Sequence, residues 1–254
     1  MKLKIKNRYF ASALHFTISL FVFSIFVLVL LNFWYPAPYF TASGGWQGLK
    51  IVAAVDLILG PALTLIIYNL NKSKLELISD FSIIGFVQIA ALTWGITTVY
   101  SQRPVAAVFW EDGFYTVPAS ALEKQGVDLA DLEKYGTEKP LYIFAENPQT
   151  VEGKQELIES ILTERIPPYH QIKRFRPIES HYDDIFKRGV DIREIIKNNM
   201  DMKKEVDEVV SRYNTSLSDN HYISLKSKYR NIILIFNQAG KLLGTASAPL
   251  KNAM

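Results

Sequence analysis

The chain has 254 residues, no cysteine and a formal net charge of +3. The absence of thiols excludes disulfides, zinc–thiolate sites and cysteine nucleophiles. Residues 1–103 carry 8 Lys/Arg against 3 Asp/Glu, and residues 104–254 carry 20 against 22, so the two parts are +5 and −2. The basic excess flanks apolar runs instead of forming a nucleic-acid face, and no nucleic-acid partner is expected.

Lys2, Lys4, Lys6 and Arg8 precede an apolar run over residues 10–33. That run exceeds the ~7–15 apolar residues of a cleaved signal, so a retained anchor helix is expected. Trp34, Tyr35, Tyr39 and Trp46, with Pro36 and Pro38 between them, then read as an aromatic belt on an interfacial loop. A second helix is expected over 49–70 and a third over 81–100, with Lys72 and Lys74 in the link and Asp80 as the cap of the third. Each run matches the ~20 residues that cross a bilayer core. Six basic residues fall on the side of the N-terminus and the 71–80 link, and only Lys50 and Arg103 on the other. The positive-inside rule therefore predicts a cytoplasmic N-terminus and link, with everything after Pro104 outside, which in a Gram-negative cell is the periplasm.

Asp56 is an acid inside the second apolar run, ~10 Å from the outer interface at 1.5 Å per residue. An intramembrane acid costs up to ~3 kcal/mol, so it either packs the helices together or recognises a partner. Depth alone puts Ser24 and Thr93 near it as hydrogen-bond donors, and Gln88 deeper, near Thr64. Gly60-Pro61 is expected to interrupt and kink the second helix. His15 reads as an interfacial packing residue, because its depth places it in the half of the membrane opposite Asp56.

Residues 104–254 read as a separate domain of α+β class on a mostly antiparallel sheet. Val105–Phe109, the turn at Glu111–Gly113 and Phe114–Val117 form a hairpin signal. Ser120 starts a short helix, and a second short helix ends at Gly136. Pro140–Ala145 is a strand, and Thr150 opens a helix of about 12 residues with Leu157, Ile158, Ile161 and Leu162 on one face. The basic, Pro-rich stretch around His170, Lys173, Arg174 and Arg176 reads as a loop. Asp191–Tyr213 is helical and strongly charged, with Ile192, Ile195, Ile196, Val206, Val209 and Val210 as its apolar stripe. Strands follow at Tyr222–Leu225, Asn231–Phe236 and Lys241–Ala246.

No nucleotide, nucleophile-elbow, zinc or calcium motif is present. His170 and His181 have no fixed acid or cysteine beside them, and the Glu179, Asp183, Asp184 cluster reads as a solvated face. No enzyme activity, metal or cofactor is expected. The alternatives to a non-catalytic membrane protein are a membrane enzyme that modifies a partner protein and a sensor whose outer domain binds a ligand. The first predicts more clustered acids and membrane spans, and the second a larger cytoplasmic part.

AVDLILGPALTLIIYN at 54–69, DFSIIGFVQIAALTWGITTVY at 80–100 and RPVAAVFWEDGFYTV at 103–117 carry a resemblance to the TfpX/TfpZ family of type IV pilin accessory proteins. The resemblance is dense over residues 1–120 and thinner afterwards. It implies an inner-membrane accessory protein of type IV pilus assembly or dynamics, acting with the pilin or with other assembly proteins. It brings no catalytic residues. Asp56, Gly60, Pro61, Gln88, Arg103 and Pro104 match its pattern, and Thr93 joins them as a helix-packing candidate.

Overall fold

The computed structural model describes residues 7–69 and 72–247. Lys2, Lys4, Lys6 and the predicted end of the second helix at Leu70 lie outside the described residues. The chain divides into two compact units, one of residues 1–40 and 44–101, the other of residues 41–43 and 102–254.

The first unit is helical. α1 (Arg8–Val29) continues into a π-turn at Leu30–Trp34. α2 (Tyr39–Ala42) is a single turn in the connection. α3 (Gly45–Ala53), a π-turn at Ala54–Leu59 and α4 (Gly60–Ile67) form one helical run. α5 (Lys74–Ser101) is the longest helix at 28 residues. These three runs are long and apolar enough to cross a membrane. α1 packs on the second run, and α5 packs on α3, the π-turn and α4. Phe26, Leu30, Tyr35, Val52 and Val99 form a small apolar core, where the Tyr35 hydroxyl donates to the Val99 carbonyl at 3.0 Å.

Two sequence expectations are corrected here. The third helix starts at Lys74, seven residues before the expected position. Its cap is Ser73, not Asp80: the Glu76 N–H donates to Ser73 Oγ at 3.3 Å, and the Ser73 N–H donates to the Glu76 carboxylate at 2.7 Å. This is a reciprocal capping box, which satisfies two backbone donors that a helix start otherwise leaves open. Asp80 lies within the helix and pairs with Lys72 at 2.6 Å. The second helix is irregular in the turn before Gly60-Pro61. Pro61 has no N–H for the carbonyl four residues back and its ring crowds it, and a π-turn accommodates both.

The second unit holds a seven-stranded sheet of order β4-β3-β1-β2-β5-β6-β7. The strands are β1 (Pro104–Trp110), β2 (Gly113–Pro118), β3 (Leu141–Ala145), β4 (Phe175–Pro177), β5 (Asn220–Lys226), β6 (Ile232–Asn237) and β7 (Leu242–Ser247). The sheet is mixed, not mostly antiparallel: β1–β3 and β2–β5 pair in parallel, and the other neighbours are antiparallel. The physical reason lies in the connections. The β1–β2 hairpin sits centrally, and β3 and β5 reach its two sides after long crossovers, which permit parallel pairing. β4 lies inside the stretch expected to be a loop. It is three residues long, ends in proline and occupies the sheet edge, where a missing N–H is tolerated.

Short helices cover the sheet. α6 (Ala119–Glu123) and a 3-10 helix (Leu129–Tyr135) bring Leu122 and Leu132 onto Val108, Val117, Leu141 and Ile143. α9 (Ile192–Lys197) and α10 (Met200–Arg212) bring Ile196, Met202, Val206 and Val209 onto Tyr222, Ile233 and Ile235. Each such buried aliphatic side chain contributes ~1.5–3 kcal/mol against exposure. The expected helical stretch is broken between α9 and α10, where the Asn199 side chain accepts from the Met202 N–H and starts a new helix. α8 (Tyr182–Phe186) adds Phe186 to an aromatic row containing Phe109, Phe114, Tyr142 and Phe236. α7 (Val151–Glu159), prolonged by a π-turn to Glu164, is capped by Thr150 as expected, yet Ile158, Ile161 and Leu162 on its apolar face are exposed.

His170 lies in a 3-10 turn beside Tyr169, and burial, which penalises the imidazolium, holds its pKa down to about 4. Between the folded and unfolded pKa values only the unfolded chain gains the proton. Stability is therefore complete above about pH 6.5 and falls as pH drops toward 4, by about 2 kcal/mol at pH 5. An NMR titration is expected to find this ring still neutral at pH ~5; a midpoint near 6.5 contradicts the burial.

Candidate functional site

The first unit places a polar seam between α1 and the second helical run. Ser12, His15 and Ser19 fall at three- and four-residue spacing, so they share one face of α1. Ser12 Oγ donates to the Pro61 carbonyl at 2.8 Å. His15 Nδ1 and Thr64 Oγ1 lie 2.6 Å apart. Ser19 Oγ donates to Asp56 Oδ1 at 3.4 Å, a long and weak bond.

Asp56 sits in the π-turn with 6% of its surface exposed. Its second oxygen, Oδ2, has no hydrogen-bond partner, and neither does the buried Nε2 of Gln88 on α5. Gln88 packs against Gly60, four residues after Asp56. A Cβ built there would overlap Gln88 Nε2 and lie 2.7 Å from Gln88 Cδ, so the missing side chain is what admits Gln88 to the second run. A buried polar atom left without a partner costs about 1–3 kcal/mol. Among the described residues of this unit, Asp56 Oδ2 and Gln88 Nε2 are the buried side-chain atoms left so.

The residues singled out from sequence divide as follows. Asp56, Gly60, Pro61 and Gln88 come together in the first unit. Thr93 does not join them: it faces outward on α5, and its carbonyl accepts from Thr97. Ser24 is exposed too and donates to the Leu20 carbonyl. Matching depth was insufficient because helix phase decides which face a residue occupies. Ser19, whose phase matches the buried Phe26 and Leu30, takes the place expected of Ser24. His15 is also nearer to Asp56 than its depth implied, one turn along α1 from Ser19. Arg103 and Pro104 belong to the second unit. Arg103 lies 4.0 Å from Glu123, and Pro104 opens β1 opposite Pro118.

The second unit offers a cleft of about 590 Å³ beyond the ends of β1 and β3, bordered by Glu111, Asn147, His181, Asp184 and Arg188. Its walls are braced: Arg188 donates to the Glu111 carbonyl at 2.9 Å, and Arg176 pairs with Glu146 at 2.7 Å. Asp112, Tyr115 and Lys226 form a bonded cluster at the β1–β2 hairpin and the end of β5, where desolvation opposes the Asp112 carboxylate but hydrogen bonds from Lys226 and Tyr115 together hold its pKa below the usual range. Among the described residues no group of His, Asp and Glu is arranged to hold a metal ion.

A family model described as the fimbrial assembly protein FimB matches residues 3–44. The chain is 38% identical over 98 residues to the fimbrial assembly protein of serogroups C1 and C2 from Dichelobacter nodosus, a match covering 39% of this chain and 75% of that protein. It is 38% identical over 98 residues to the serogroup I protein and 39% identical over 99 residues to the serogroup E1 protein of the same organism. Those two matches cover 38% of each relative, little more than a third of its length. No solved structure matches. On the strength of the first of these matches, the chain belongs to the fimbrial assembly protein family.

Proposed function

We propose that the protein is a three-span inner-membrane accessory factor of type IV fimbrial biogenesis, acting without catalysis by contact with the fimbrial subunit or its assembly machinery. The match to relatives named as fimbrial assembly proteins carries this reading. The helices support the membrane part. Phe86, Ile89 and Trp94 on α5 and Phe21 and Leu28 on α1 are exposed, a surface suited to lipid and costly in water. The N-terminus and the 71–80 link lie in the cytoplasm, and the second unit lies in the periplasm. The polar seam holds the helices together and presents Asp56 to a partner.

Two experiments test this. The cysteine-free chain allows clean thiol labelling. In intact cells with a permeable outer membrane, a cysteine at position 128 is expected to react with an impermeant maleimide, and one at position 74 only after lysis. The reverse pattern overturns the orientation. Affinity capture of the tagged chain from gently solubilised membranes is expected to bring down the fimbrial subunit. Capture without the subunit or any other fimbrial component overturns the contact reading.

A further inference from the structure

We infer that the cleft beside Arg174, between the start of β4 and the first turn of α7, binds a carboxylate carried by a polypeptide partner: an Asp or Glu side chain or a chain terminus. The site lies wholly in the second unit and does not depend on the accessory reading.

Arg174 is the anchor. It ends the 3-10 turn Ile172–Arg174 with 7% of its surface exposed, and its carbonyl accepts from the Glu146 N–H at 2.9 Å. Its Nε donates to Gln171 Oε1 at 2.7 Å. Gln171 is buried too, and its Nε2 donates to the Ile166 carbonyl at 3.1 Å. The guanidinium is thus held from behind, yet among the described residues no carboxylate pairs with it. Buried charges are ordinarily paired, because desolvation without a counter-charge is costly. Arg174 lines a cleft of about 380 Å³, which is where a counter-charge can enter.

The lining sets the charge of the occupant. Lys173 is bonded to Glu156, and Arg176 pairs with Glu146 at 2.7 Å, so both acids and the two other bases of the cleft are already matched. The charge of Arg174 is left over. One carboxylate balances it, and its planar shape suits two parallel hydrogen bonds from the terminal nitrogens of the guanidinium. A phosphate group, at about −1.5 to −2, would bring excess negative charge against Glu146 and Glu156.

The shape sets the kind of molecule. The cleft shares Glu146, Asn147 and Gln149 with the cleft of about 590 Å³ beyond β1 and β3, so the two form one groove. A free small acid would leave most of that groove unfilled, whereas an extended chain segment follows it. Asn147 Nδ2 and Gln149 Oε1 make no hydrogen bond among the described residues, and they offer a donor and an acceptor to a passing backbone. Further along, Phe144 stacks on His181 at 4.1 Å and gives the groove an apolar wall.

The test uses the full chain in detergent micelles, immobilised by a tag. The probes are heptapeptide libraries with blocked ends that differ only in a fixed central residue: Glu, Asp, Gln or phosphoserine. One more library has central Gln and a free C-terminal carboxylate. At least one carboxylate library is expected to be retained about fivefold or more above the blocked Gln library, with phosphoserine no better than Glu. Arg174→Gln removes that preference. Gln149→Glu, at an exposed position, lowers it about threefold or more by adding a like charge, and it keeps the test decisive if Arg174→Gln fails to fold. Equal retention of all libraries overturns the inference. So does phosphoserine retained above Glu, which would make this a phosphate site, and so does a carboxylate preference that survives both substitutions. Capture of the fimbrial subunit tests the accessory reading separately.

Discussion

Asp56→Asn is expected to reduce surface fimbriae at least about tenfold while the protein accumulates normally. The substitution is nearly isosteric, and the Ser19 bond to Oδ1 survives it. What changes is the unpaired second atom, from an acceptor to a donor. A hydrogen bond from a partner helix to this atom is worth ~0.6–2 kcal/mol, and about tenfold follows from losing ~1.4 kcal/mol. Counting fimbriae by electron microscopy alongside immunoblots of the protein checks it. Normal fimbriation would assign Asp56 to helix packing alone. Loss of the protein itself would place the effect on stability.

Gly240→Val is expected to destabilise the second unit by about 3 kcal/mol. Gly240 turns the β6–β7 hairpin at φ +79°, where a β-branched residue is strained by ~1–3 kcal/mol. The new Cβ would also strike the Tyr182 ring, 2.5 Å from Cζ, and overpacking of this kind costs ~1–3 kcal/mol. Gly126 supplies the control. Its φ is +74°, but nothing lies within 4 Å of a Cβ there, so Gly126→Ala carries only the backbone strain, about 1 kcal/mol. Limited proteolysis should cleave the Gly240→Val protein far faster than the Gly126→Ala protein. Equal rates would mean that Tyr182 moves aside freely.

The three long helices were legible because an apolar run of about 20 residues is far longer than a buried strand or an ordinary core helix needs. The β1–β2 hairpin was legible from strand formers on both sides of Glu111-Asp112-Gly113, and the α9–α10 stripe from its periodicity. Sheet direction was not legible: whether β3 and β5 pair in parallel depends on where the crossovers return them, and no local residue encodes that. β4 was hidden because Arg176 and Pro177 are poor strand signals and its pairing comes from β3. The early start of α5 is written in the sequence as Ser73-x-x-Glu76, the signature of a capping box.

The candidate site was half legible. Asp56 stands out by cost alone, as an acid inside an apolar run. Its neighbours required helix phase as well as depth, so Ser24 and Thr93 were expected where Ser19 is found. Gly60-Pro61 was legible as a helix break and Gln88 as a polar residue at membrane depth, and their geometry adds the rest: a missing Cβ makes room for Gln88, and a proline widens the turn that carries Asp56.

The most direct measurement is fimbriation in cells lacking this gene, with and without the gene resupplied. The account predicts at least a tenfold loss of surface fimbriae, with subunit still present in the inner membrane, and recovery when the full chain returns. Unchanged fimbriation in the deletion would contradict it.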